Sequence, residues 1–141
     1  MDKDIVLSKL ESLRRCIQRI QDKTPPSCHL LIEDYDLQDI IALNLERSVQ
    51  LCVDIGLHII SDLEVPVPDT MAKTFVVLEQ ANCLDGDVAD RMIKSVGFRN
   101  TAVHAYQEID WNIVYCIITE HLDDFRAFSR QILSFMDSTP A

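Results

Sequence analysis

Apolar side chains return every three or four positions along most of this 141-residue chain, and no segment alternates as a half-buried strand does. The first such stretch predicts a helix over Asp4–Lys23, with Ile5, Leu10, Leu13, Ile17 and Ile20 as its inner stripe. "KTPPS" ends it, because Pro25 and Pro26 cannot continue the hydrogen-bond ladder. A longer helix is predicted over Asp36–Leu63, with Asp36 as its N-cap. Leu37, Ile41, Leu45, Val49, Cys52, Ile55 and Ile59 form one seam of it. Ile40, Leu43, Leu51, Val53, Leu57 and Ile60 add apolar surface outside the seam. So wide a stripe fits contact on two sides. A dimer seam and a central helix buried within its own bundle both account for it.

"VPVPD" reads as a rigid extended linker, since each proline pushes its predecessor out of helical geometry. A third helix over Asp69–Asn82 turns Met71, Phe75 and Leu78 inward, and "LDGDV" makes the following turn. A fourth runs from Asp87 to Val96 or a little beyond. The last spans Asp110–Met136, capped by Asp110, with Trp111, Val114, Tyr115, Ile118, Leu122, Phe125, Ser129 and Ile132 on one face. The expected fold is all-α: one domain over 1–141, an antiparallel bundle of four main helices plus a shorter piece.

Composition narrows the class. Hydrophobic residues make up 48% and charged residues 26%, a globular profile, and only three glycines and five prolines punctuate it. No apolar run reaches the ~18 residues of a membrane span. "MDKDIVLSKLESLRRC" mixes charge with apolar residues, unlike a signal peptide, so a cytoplasmic protein is expected. Cys16, Cys28, Cys52, Cys83 and Cys116 are odd in number and form no C-x-x-C pair, which speaks against a disulfide framework or a zinc site. Four of them read as small core residues and Cys28 as an exposed thiol. The net charge of −10 disfavours a broad nucleic-acid surface. Arg14, Arg15 and Arg19, and separately Arg91, Lys94 and Arg99, still permit a local positive groove.

The candidate chemistry sits in "FRNTAVHAY". On an unbroken helix Arg99 and His104, five apart, would point about 140° from one another. A helix ending near Asn100 would let the tail through Tyr106 curl back, and the trio is expected at such an end. Arginine carries a permanent planar charge that matches phosphate oxygens. Histidine exchanges a proton near neutral pH. Together they suffice in principle to cleave RNA without a metal. The histidine would act on the 2′-OH or the leaving oxygen, and the arginine would hold the charge of the phosphorane. Tyr106 can stack a base, donate to a phosphate or accept a modification. The alternative is that Arg99 and His104 are surface or capping groups. His58 is expected beside the buried side of the second helix and His121 on a solvated face, and the four histidines offer no i, i+4 metal pair.

At these residues the chain resembles a known family. "RNTAVHAY" is similar to the R-x4-H-x-Y motif of the HepT toxins, helical ribonucleases of the HEPN superfamily. "LQDIIALNLERSVQLCVDIGLHI" resembles their long second helix, with a D-I-x-x-H-I ending at Asp54, Ile55, His58 and Ile59. "KSVGFRN" and "IVYCIITEHLDDF" resemble the approach to the motif and the final helix, so the likeness runs from Asp36 to Phe128. The resemblance implies a homodimer whose two motifs form one RNA-cleaving cleft without metal. It implies Arg99 and His104 as catalytic residues and Asn100 lining the site. It also implies a partner, a MntA-type nucleotidyltransferase antitoxin that attaches AMP from ATP to Tyr106. Two other readings stand beside it: a non-catalytic helical partner of a nucleotidyltransferase, favoured by the acidic balance, and a motif that serves only to cap helices.

Overall fold

The computed structural model describes residues 1–139; the last two positions of the predicted 1–141 domain lie outside it. Among the described residues there are seven α-helices, one 3-10 turn and no strand. The helices are α1 (Lys3–Lys23), α2 (Cys28–Glu33), α3 (Tyr35–Ile60), α4 (Met71–Gln80), α5 (Gly86–His104), α6 (Trp111–Glu120) and α7 (Leu122–Asp137). The 3-10 turn is Tyr106–Glu108. Among the described residues no helix is long and apolar enough to cross a membrane.

Every α-helix but α7 starts where a side chain can accept from its first free amides. Asp2 caps α1, Ser27 caps α2, Thr70 caps α4 and Asp85 caps α5. The long helix is capped by Asp34, not the expected Asp36, which lies inside its first turn. The helix α2 escapes the sequence pattern because six residues are too few to show a period. Gln38 joins it to α3: buried, it donates to the carbonyls of Leu31 and Ile32 at 3.1 and 3.0 Å. α3 stops at Ile60 rather than Leu63, and α4 stops at Gln80. Asn82, at φ 63°, supplies the left-handed residue beyond the end of α4, a conformation asparagine tolerates.

α3 is the central rod, with α1, α4, α5 and α2 all packed on it. The bundle covers part of the surplus in its wide stripe: Ile40, Leu51 and Leu57 are half-buried. Val53 and Ile60 are buried, while Leu43 stays exposed. α1 runs antiparallel to α3, so the Asp2 amide donates to His58 Nε2 at 3.2 Å. The buried line of α1 is Val6, Leu10, Leu13, Ile17 and Ile20; Ile5, expected inside, faces solvent. α7 closes the bundle. Its Phe128 meets Phe75 of α4 edge-on, with ring centroids 6.1 Å apart and both rings fully buried.

The predicted final helix is broken. His121, at φ −124° and ψ 7°, separates α6 from α7. No proline or glycine marks the break. Tertiary contacts make it: the Tyr115 hydroxyl donates to the Pro25 carbonyl at 2.9 Å, holding α6 on the α2 side while α7 returns to the core. The cysteine expectation also needs correction. Cys52 and Cys83 are buried, but Cys83 lies in a turn and Cys116 is exposed. Cys28 is half-buried, its Sγ 3.3 Å from Asn112 Oδ1.

Candidate functional site

α5 carries the motif, and it does not end near Asn100 as expected. It continues to His104, because nothing between Gly97 and His104 breaks it and Ala102 is buried. The Thr101 hydroxyl bonds back to the Gly97 carbonyl at 3.1 Å. The helix stops at Ala105, whose backbone (φ −149°, ψ 57°) is no longer helical and whose amide bonds to the Thr101 carbonyl. Arg99 and His104 therefore leave one continuous helix about 140° apart. Neither side chain caps a helix: the Ala105 amide closes α5, and Asp110 caps α6 through the Asn112 amide at 3.0 Å.

Arg99 is half-buried. Its Nη1 donates to Asn100 Oδ1 at 3.4 Å, while its buried Nε has no hydrogen-bond partner. A buried unpaired donor on a charged group is costly, on the order of several kcal/mol unless an acceptor is supplied. The guanidinium is thus poised for an anion. His104 is exposed at the last turn of α5.

Tyr106 opens the 3-10 turn and is 38% exposed. Its hydroxyl donates to Asp39 Oδ1 on α3 at 2.5 Å. Its ring stands edge-on to Trp111 at the start of α6, with centroids 5.9 Å apart and planes at 65°. Desolvation, and then the bond to the Asp39 carboxylate, push the phenol pKa above its usual value. Asp39 was not visible as a site residue in sequence, since 67 positions separate it from Tyr106.

Half of the residues of the expected positive groove are paired with carboxylates. Arg14 and Arg15 pair with Glu11, and Arg91 pairs with Asp87 and Asp124. Among the described residues Arg19, Lys94 and Arg99 form no ion pair. A cleft of about 570 Å³ lies between α3, α5 and the α6–α7 break, lined by Leu45, Val49, Lys94, Phe98 and Ile117 among others. Arg99, His104 and Tyr106 do not line it.

Asp54 and His58 take no part in this site. They lie toward the far end of α3, where Asp54 accepts from Gln50 at 2.9 Å and His58 accepts the Asp2 amide. One trio of potential metal ligands was missed in sequence: Cys116, Glu120 and His121, with donor atoms within 4.8 Å of one another and all exposed. They share one end of α6, which their spacing of four and one could have indicated.

The family model described as Ribonuclease HepT-like matches residues 12–132. The chain belongs to the HepT-like ribonuclease family. Relatives agree along the whole length. The mRNA nuclease HepT of Shewanella oneidensis is 37% identical over 125 residues, covering 89% of this chain and 93% of that protein. The tRNA nuclease HepT of Aphanizomenon flos-aquae is 28% identical over 132 residues, covering 94% and 90%. The solved structure of the tri-AMPylated Shewanella oneidensis HEPN toxin in complex with MNT antitoxin superposes with a TM-score of 0.87. It is 36% identical and covers 95% of this chain and 99% of that one.

Proposed function

We propose that this chain is the toxin of a toxin–antitoxin pair, a metal-independent endoribonuclease silenced when a nucleotidyltransferase antitoxin transfers AMP to Tyr106. It acts as a homodimer in the cytoplasm. The observation that carries this is an intact R-x4-H-x-Y at the open end of α5, in a chain whose family matches residues 12–132. The relatives named as nucleases and the AMPylated toxin bound to its antitoxin support the same reading.

The α5 geometry favours a composite site. With Arg99 and His104 pointing apart, a second copy related by a twofold axis supplies the complementary groups. His104 of one chain takes the proton of the ribose 2′-OH. That oxygen attacks phosphorus, and the 5′-oxygen leaves with a proton from the other chain's histidine. Arg99 donates to the equatorial oxygens as negative charge builds, which gives its buried Nε an acceptor. Asn100 holds the guanidinium from the side. AMP on Tyr106 would place a second phosphate near Arg99 and occupy the substrate's place.

The test is RNA cleavage by the purified chain in excess chelator. The reading predicts cleavage by the wild type and a loss of about 100-fold or more in Arg99→Ala and His104→Ala, with thermal unfolding unchanged. Wild-type activity retained in both variants would remove the site. The non-catalytic partner reading, which the net charge of −10 favours, predicts no cleavage by any of them.

A further inference from the structure

Tyr106 is held by three separate elements. The 3-10 turn carries it, Trp111 of α6 supports its ring, and Asp39 of α3 takes its hydroxyl. Asp39 lies outside the R-x4-H-x-Y motif, and among the described residues it pairs with no cation. Its carboxylate meets the one atom that becomes a nucleophile if Tyr106 is adenylylated. A phenol shifted above its ordinary pKa of ~10 is almost wholly protonated at neutral pH, so it attacks poorly unless the proton has somewhere to go.

We propose that Asp39 is the proton acceptor in the adenylylation of Tyr106. This rests on the reading that Tyr106 is the residue modified. The Tyr106 hydroxyl oxygen attacks the α-phosphorus of ATP, and the bond from that phosphorus to the bridging oxygen breaks. Pyrophosphate leaves, and the phenolic proton passes to Asp39 Oδ1. The hydroxyl already touches Asp39 Oδ1 in a direct hydrogen bond, so the proton needs no intervening carrier. The product has no hydroxyl proton to donate, so the modified chain loses the Asp39 bond. Its new phosphate then stands near a carboxylate, which drives the adduct away from α3 and toward the arginine of the motif.

The experiment follows AMP transfer to the full chain by its nucleotidyltransferase partner with ATP and magnesium. Intact mass gives the rate under single-turnover conditions, and peptide mass gives the position, across pH. The wild type acquires AMP at Tyr106, with a rate that falls on the acid side as a carboxylate protonates. Asp39→Asn keeps an acceptor for the hydroxyl but cannot take its proton. Its transfer rate falls about 100-fold, the acid limb disappears and KM for ATP is unchanged. Asp39→Glu restores the carboxylate and recovers most of the rate. Transfer to Tyr106 in Asp39→Asn at the wild-type rate overturns the role of Asp39 and leaves the tyrosine assignment standing. A wild type that takes AMP elsewhere, or not at all, overturns both. An Asp39→Glu protein as slow as Asp39→Asn, with lowered thermal stability, shows a structural carboxylate and also overturns the proposal.

Discussion

Gly56 and Gly97 are both helical glycines, so replacing each by alanine makes the same covalent change with opposite expected outcomes. Gly56 sits where α3 crosses α4. A Cβ there would lie 2.7 Å from Thr74 Cγ2 and 2.9 Å from Leu78 Cδ1. Those neighbours are 1% and 0% exposed and cannot swing into solvent. At Gly97, exposed on α5, an added Cβ meets nothing within 4 Å. Alanine in a helix interior gains ~0.5–1 kcal/mol over glycine from backbone entropy. At Gly56 the overpacking costs about 1–3 kcal/mol, so the net is a loss of up to roughly 2.5 kcal/mol. At Gly97 only the gain remains. Urea unfolding read by circular dichroism would place the two variants on opposite sides of the wild-type midpoint. In thermal unfolding each kcal/mol moves the transition by ~2–4 °C. A Gly56→Ala protein as stable as Gly97→Ala would refute the close crossing of α3 and α4. The same crossing accounts for the D-I-x-x-H-I segment as packing, since Ile55 and Ile59 are core residues on either side of Gly56.

Three further outcomes are expected. Mixing wild-type chains with excess His104→Ala chains should suppress RNA cleavage severalfold below the share of wild-type chain present, since each mixed dimer lacks one of the two histidines; cleavage in proportion to the wild-type chain would place the whole site within one chain. Tyr106→Phe keeps the ring against Trp111 and should still cleave RNA while taking no AMP, as read by mass. The third concerns acid stability. The Asp85 carboxylate accepts from the Val88 amide and from Gln131 Nε2, both at 2.8 Å, and these bonds hold its pKa below the ordinary aspartate value. A depressed folded pKa means a contribution complete above the unfolded pKa of about 4 and lost as pH falls through the lower value. Asp85→Asn should therefore show a shallower fall in urea midpoint between roughly pH 5 and pH 2, while matching slopes would discount that bond network.

The elements most legible in sequence were those with long periods. Twenty-one residues of α1 and twenty-six of α3 give enough turns for the stripe to declare itself, and prolines mark the loops between them. The six residues of α2 offered no period, and the break at His121 offered no breaking residue, because Tyr115 and Pro25 enforce it from across the fold. The motif residues Arg99, His104 and Tyr106 were legible as chemistry. Their arrangement was not: whether α5 stops at Asn100 or at His104 depends on burial of Ala102 and on the Ala105 backbone, which carry no local signal.

Local order in the chain determined that this protein is helical, where its longest helices lie and which three side chains carry reactive groups. Periodicity and residue type act over a few turns, and a single strand of text holds that information. Tertiary structure alone decided that α1, α2, α4 and α5 all pack on α3, that among the described residues Arg99 keeps an unpaired buried Nε, and that Asp39 reaches Tyr106. Those facts are distances between residues far apart in the chain, and only the packing of one helix on another sets them.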